Sequence, residues 1–259
     1  METQNTCVNC KSEIALNFCP NCGQKKYRRI DAQYLKDEIQ YAVLHTNKGF
    51  FYTLKNLLKN PGRTTREFID GNRVNHYKPI LLAFVLSGIS TFISYKILKM
   101  GEVLGDFFNK QTGVSADEMN GIMTSMSSYL SIIVLFLLPF FAGVTRIVFG
   151  KWGHNYFEHV VMNAFFYSLY SLYTLILVFP VLYFFRENST HFVVLTYASM
   201  LLNPFLFILF FKGFYPEKSL GKIISKAVLV FFLIVIGYLC FSIVIGIISA
   251  FYYRQIQAV

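Results

Sequence analysis

The sequence predicts an all-α polytopic membrane protein with about five transmembrane helices, a small N-terminal zinc ribbon and cytoplasmic amphipathic helices. Three observations carry this. Apolar runs of about 20 residues recur after Pro79, each long enough to cross a hydrocarbon core of about 30 Å. Two Cys-x-x-Cys knuckles, Cys7–Cys10 and Cys19–Cys22, stand eight residues apart in a polar stretch. Hydrophobic residues make up 54% of the 259-residue chain and aromatic ones 18%, more than a soluble core of this size needs. Three parts follow: a zinc-ribbon domain at 1–30, an amphipathic helical segment at 31–79 and a transmembrane bundle at 80–259.

The head comes first. Each knuckle folds two sulfurs onto one ion, so Cys7, Cys10, Cys19 and Cys22 close a tetrahedral site for one structural Zn2+ per chain. Gly23 sits where such a turn needs positive φ. Two disulfides or an iron–sulfur centre are the alternatives. No apolar signal region precedes the knuckles, which places them in a reducing cytoplasm and disfavours disulfides. Four thiolates leave no open position for water, so the metal is structural rather than catalytic. Such a short segment buries no core, and metal binding must supply its folding free energy, on the order of 10 kcal/mol.

Lys25 to Arg29 form a basic cluster, followed by Asp31, Asp37 and Glu38. Without interleaved aromatics it reads as a charge cluster, not a nucleic-acid platform. The formal net charge of +10 gathers at the ends of apolar runs, so membrane topology accounts for it and nucleic acid is not an expected partner. Asp31 is placed to cap a helix reaching about Leu44, with Leu35, Ile39 and Val43 on one face and His45 at its end.

Gly49 to Asn60 reads as a short amphipathic helix. Phe50, Phe51, Leu54, Leu57 and Leu58 recur at helical steps, with Lys48, Lys55 and Lys59 on the other side. Such a pattern suits a helix in the lipid headgroup layer. Pro61-Gly62 stops it, Thr64 or Thr65 is placed to cap a second helix, and Gly71 to end that one. Lys55, Lys59, Arg63, Arg66, Arg73 and Lys78 are the candidate lipid-surface contacts, each worth roughly 1 kcal/mol near anionic lipid. A solvated basic face on a hairpin packed under the bundle is the alternative.

The stretch Gly49–Pro79, preceded by the cysteine knuckles, resembles the DUF3667 family of uncharacterised bacterial membrane proteins. The resemblance rests on Gly49, Phe50, Thr53, Leu54, Pro61, Gly62, Arg66, Glu67, Phe68, Ile69, Gly71, Arg73, Val74, Tyr77 and Pro79. It implies a zinc ribbon, this segment and then apolar helices. It implies a bacterial inner-membrane location and no particular activity.

The spans are expected at about 80–98, 129–149, 160–185, 191–211 and 227–252. Ser87, Gly88 and Ser90 offer the first a small-residue strip for close packing. Lys99 to Ser128 reads as an acidic outer loop, with Ser115-Ala116-Asp117-Glu118 a capping box leading into the second span. Pro139 is expected to kink that span, and Arg146, Lys151 and Trp152 to mark its inner end. Arg186 to Thr190 reads as a tight outer turn. Asn203-Pro204 is expected to kink the fourth span, and Lys212, Lys218, Lys222 and Lys226 to form the last inner loop. Ser242, Gly246 and Ala250 make a small-residue stripe compatible with a homo-oligomer. Charge bias then sets the amino terminus in the cytoplasm and the carboxyl terminus outside.

Polar residues in the membrane half form one further candidate site at the interface: His154, Glu158, His159 and Asn203. On a helix, His154 and Glu158 would share a face, a spacing used by metal sites. His191 belongs near the opposite face, about 30 Å away, and cannot join them. Hydrogen bonding is therefore the expected role of the group. No P-loop, nucleophile elbow or dinucleotide fingerprint occurs, and an enzyme is not the favoured reading. The favoured reading is a non-enzymatic scaffold or regulator whose zinc ribbon docks a cytoplasmic protein partner. The alternatives are a small transporter or lipid-handling protein, and a membrane-embedded metal-dependent hydrolase.

Overall fold

A computed structural model describes residues 6–7, 10–23, 49–73, 75–113 and 115–257. The expected helix at 31–44, the basic cluster at 25–29 and His45 lie outside the described residues. Chain contacts separate two units, Met1–Asn47 and Lys48–Val259.

In the first unit, an antiparallel bridge joins Thr6 to Glu13. Two backbone turns repeat: Lys11 N–H donates to the Cys7 carbonyl at 2.9 Å, and Gly23 N–H to that of Cys19 at 3.0 Å. Gly23 has the positive φ its place in the knuckle requires, +72°. The side chains of Cys7, Ile14 and Cys19 make the small core.

The second unit is all helix among its described residues. It opens with two short helices, α1 (Gly49–Lys59) and α2 (Pro61–Ile69). Then come α3 (Pro79–Phe92), α4 (Met100–Thr112), α5 (Ala116–Phe149), α6 (Tyr156–Tyr173), α7 (Phe179–Phe184), α8 (Ser189–Met200), α9 (Asn203–Phe214) and α10 (Leu220–Gln257). Five stretches are long and apolar enough to cross a membrane: Pro79–Ile97, Tyr129–Trp152, Tyr156–Phe184, Ser189–Phe214 and Leu220–Cys240. The centre of the bundle is α3 and α5 packed on α6.

Two spans carry a wide turn. Past α3, Leu98 N–H reaches the Ile93 carbonyl five residues back at 2.9 Å. Past α6, Phe179 N–H reaches Thr174 in the same way, which also accommodates Pro180. Such π-bulges relieve one backbone bond and turn a helix face.

Several expectations change. The stretch Lys99–Ser128 is not mainly loop. Met100, Val103, Leu104 and Phe107 recur at helical spacing, and α4 packs along the early turns of α5 and on α8. α5 begins at Ala116 as expected, but Ser115 makes no side-chain cap. Thr64 and Thr65 do not start α2, because Pro61 takes its first turn. Their hydroxyls donate back to the Asn60 and Pro61 carbonyls at 2.8 and 2.9 Å. The fourth span breaks rather than kinks. Leu201 and Leu202 form a tighter turn between α8 and α9, bonding to Ala198 and Ser199 three residues back, because Pro204 has no N–H to bond Met200. Lys212 lies inside α9 and staples the turn ahead of α10, donating to the Pro216 and Lys218 carbonyls at 2.9 and 2.8 Å. Lys222 and Lys226 belong to α10, so the loop itself is only the turn before Leu220.

Candidate functional site

The cysteine head satisfies the geometry of one ion. The Sγ atoms of Cys7, Cys10, Cys19 and Cys22 all lie within 4.8 Å of one another. Cys7 pairs with Cys22 and Cys10 with Cys19, both at 3.5 Å. A tetrahedron of Zn–S bonds of about 2.3 Å has edges of about 3.8 Å, so these sulfurs fit with small adjustment. The Ser12 side chain and backbone hold the Cys10 thiol down at about 6, favouring the thiolate a metal needs. Leu16 and Phe18, between the knuckles, are 79% and 59% exposed.

The hairpin of α1 and α2 is fixed to the bundle by backbone approach. Gly49, Thr53 and Leu57 form the buried face of α1, about a quarter turn from the middle of its apolar stripe. Thr53 explains the rotation: its hydroxyl donates to the Gly49 carbonyl at 2.6 Å and accepts from Tyr77 N–H at 2.8 Å. A Cβ at Gly49 would stand 3.1 Å from the Asn75 carbonyl oxygen. Phe51 and Leu58 are left exposed beside Lys55 and Lys59. In α2, Gly62 lies directly against α9: a Cβ there would overlap Phe210 O and Phe214 N, both backbone atoms. The opposing residue is Gly213, whose added Cβ would meet Gly62 Cα at 3.3 Å. Two glycines thus let the helices cross in backbone contact.

Arg66, expected among the lipid-surface contacts, caps α9 instead. Its guanidinium donates to the Phe214 carbonyl at 3.1 Å and pairs with Glu217 at 2.9 Å. Glu217 is held below the usual carboxylate range; partial burial pushes it up, but its own backbone N–H and Arg66 outweigh that. Arg63 pairs with Glu67 at 2.9 Å. Lys55, Lys59, Arg63, Arg73 and Lys78 are all exposed. His76 is buried between Tyr52 and Phe68, with neither ring nitrogen hydrogen-bonded. Burial lowers its pKa, against a weaker pull upward from Glu67.

The four polar candidates at the interface separate. His154 precedes α6 rather than riding on it, so it does not share a helical face with Glu158. Its Nδ1 meets the Tyr215 hydroxyl at 3.0 Å, and burial lowers its pKa. Burial, with Glu217 and Glu158, raises that of Tyr215. Glu158 completes a capping box, accepting from Asn155 N–H at 2.7 Å while the Asn155 side chain accepts from Glu158 N–H at 3.0 Å. His159 is buried and meets Thr145 Oγ1 at 3.1 Å; Asn163 donates to the same oxygen at 2.8 Å. Thr145 donates its own proton to the Phe141 carbonyl, so His159 presents a protonated Nδ1 and a bare Nε2. Asn203 opens α9 and faces a cavity with Asn163 and Thr145. Among the described residues, the group of three or more His, Cys, Asp or Glu side chains able to share an ion is the cysteine head.

Around them stands an aromatic belt. Phe149 stacks on Phe211 at 4.5 Å, Trp152 meets Tyr215 edge-on at 4.7 Å, and Lys218 and Lys226 lie 5.5 and 5.1 Å over the indole.

Two cavities open between the spans. The first, about 370 Å³, is walled by Leu138, Phe166, Phe207, Val230 and Ile234, with Thr145, Asn163 and Asn203 among its lining. The second, about 290 Å³, lies farther from the hairpin and is rich in hydroxyls. α3 and the wide turn after it contribute Ser87, Ser90, Thr91, Ser94 and Tyr95; α6 and its bulge give Tyr167, Tyr170, Ser171 and Thr174; α8 gives Thr196 and Ser199. Ser90 Oγ and Thr174 Oγ1 are buried without a hydrogen-bond partner. The wide turn at Thr174–Val178 lies in its wall. The sequence signal was available: Ser87, Ser90, Thr91, Ser94 and Tyr95 recur at helical spacing down the first span. Of the strip expected to pack closely, Ser87 and Ser90 line this space, while Gly88 faces Ser131 of α5, where an added Cβ would stand 3.8 Å from its hydroxyl.

Residues 47–91 match a family described as Protein of unknown function (DUF3667). The match covers α1, α2 and nearly all of α3, including Gly49 and Gly62 but not Gly213 on α9. No curated protein and no solved structure matches the chain.

Proposed function

We propose that this chain, which bears the DUF3667 segment at residues 47–91, is a zinc-headed inner-membrane protein of the transport or lipid-handling class. It binds a small ligand in the cavity between α3, α5, α6 and α8. The observation that carries this is the pair of buried hydroxyls without a hydrogen-bond partner, Ser90 and Thr174, in the wall of that cavity. An unpaired buried hydroxyl costs about 1–3 kcal/mol, which a bound hydrogen-bonding ligand recovers. Pockets of some 300–1,000 Å³ are typical of small-molecule sites. Basic residues around the hairpin and the α9–α10 turn favour a cytoplasmic amino terminus and an external carboxyl terminus. The cysteine head holds zinc in a closed, structural site.

Native mass spectrometry of the purified protein tests the reading. A discrete adduct is expected on the wild type and absent from Ser94→Phe, which fills the cavity. Ligand-free wild type, or an adduct that Ser94→Phe retains, would overturn it.

A second reading has its own support. Exposed Leu16 and Phe18 on the cysteine head favour a docking surface for a cytoplasmic protein, as in a scaffold or regulator. Replacing both with Ser is expected to abolish co-purification of that partner while metal content stays unchanged. Unchanged co-purification would exclude the reading.

A further inference from the structure

The two cavities adjoin. Val134, Tyr167 and Tyr170 line both, so these three side chains form the wall between the hydroxyl-rich space and the apolar one. Their chemistries are opposite. Ser90 and Thr174 carry unpaired hydroxyls in the wall at one end, while Phe166, Phe207 and Ile234 wall the other. At the apolar end Thr145 and Asn163 already bond each other, which leaves Asn203 as its further polar side chain beside the two shared tyrosines.

Resting on the reading that this bundle binds a ligand, we propose that the ligand is an uncharged single-chain amphiphile. Its hydroxylated head lies among α3, α6 and α8 and its hydrocarbon chain in the apolar cavity.

Charge decides the class of head. Among the described residues lining either cavity, none is Asp, Glu, Lys, Arg or His. An ionised head would lose its hydration with no counter-charge, and hydroxyl dipoles alone do not repay that loss. A neutral head with several hydroxyls exchanges donors and acceptors with Ser, Thr and Tyr one for one. The adjoining apolar space decides the rest. A wholly polar ligand would leave the apolar cavity empty, and water there finds too few partners to be held. A hydrocarbon chain fills it and gains dispersion contacts with the aromatic walls. The resulting orientation, head toward the surface remote from the hairpin and chain inward, matches a lipid of the leaflet on that side.

The test uses the full chain in phosphatidylcholine nanodiscs, titrated with radiolabelled 1-monooleoylglycerol, oleate at pH 8, and glycerol. Saturable binding of the monoacylglycerol is expected, with oleate at least about tenfold weaker and glycerol not bound. Ser90→Val and Thr174→Val should each weaken binding about tenfold, since each removes a hydroxyl partner from the head. Val134→Trp, where the two cavities adjoin, should abolish binding of the monoacylglycerol. Should that variant fail to fold, the two valine variants carry the test alone. Equal binding of oleate, or valine variants that bind normally, would overturn the amphiphile. Glycerol binding as tightly as the monoacylglycerol would overturn it too, while leaving the cavity as a polar-ligand site. Failure of all three probes, with the native adduct still present, would refute the class of ligand alone. Loss of the adduct as well would refute the binding reading itself.

Discussion

Replacing Gly62 with Ala tests how the hairpin is held, because two effects of known size oppose each other. At an open helix position, Gly→Ala stabilises by about 1 kcal/mol. At Gly62 the new methyl group overlaps Phe210 O and Phe214 N, main-chain atoms that no rotamer change can move. α2 must back away from α9. Overpacking of this kind costs about 3 kcal/mol, the upper end of its usual range, because rigid backbone is what must yield. The retreat also draws Arg66 from the Phe214 carbonyl, a loss of about 1 kcal/mol. The net is a destabilisation of about 3 kcal/mol, or a drop in Tm on the order of 10 °C. Trp152, the only tryptophan in the chain, packs on Phe149 and Tyr215 near the same end and reports the transition by fluorescence. Gly121→Ala, where an added Cβ meets nothing, is the control and should raise Tm slightly. A Gly62→Ala protein melting at or above wild type would refute the backbone crossing.

Further outcomes follow from other contacts. His76 is buried and its pKa is depressed below 6.5, so the folded state binds its proton less readily than the unfolded state. Its contribution is complete above 6.5 and is lost as pH falls below that value. His76→Phe should flatten this acid-side loss in a Tm-versus-pH series, and an unchanged profile would refute the assignment. Thr145→Val removes the oxygen shared by His159 and Asn163 and strands two buried donors, costing about 3 kcal/mol by chemical or thermal unfolding. Cys19→Ser should reduce bound metal from one ion per chain to none by elemental analysis, while the bundle keeps its Tm, since the sulfurs lie in a separate unit.

How much of this could be read from residues alone depended on whether chemistry or packing decided the point. Cysteine spacing is coordination chemistry, and the four sulfurs converge as their spacing required. The number of spans follows from apolar length, and five stretches are long and apolar enough, as expected; the fifth is Leu220–Cys240 where 227–252 was expected. Gly71, expected to end the second short helix, does so at φ +115°. Packing was harder. The stripe of Phe and Leu on α1 suited a helix in the headgroup layer, yet its buried face runs through Gly49 and Thr53, because backbone approach, not apolar area, fixes the contact. Arg66 looked like a headgroup contact until its partner at Glu217, far along the chain, entered the picture. α4 was hidden by Glu102 and Asp106, which colour the stretch as loop although its apolar residues keep helical period. The hydroxyl ladder of α3 resembled a packing strip because its counterparts on α6 and α8 lie some 80 and 100 residues later.

The most direct measurement is an experimental density map of the bundle in a lipid nanodisc, read at the space between Ser90 and Thr174. A feature larger than single waters is expected there, within hydrogen-bond distance of both hydroxyls and continuing past Val134 between Tyr167 and Tyr170. Hydroxyls that pair with one another, with α3 and α6 closed over the space, would contradict a ligand site in this bundle.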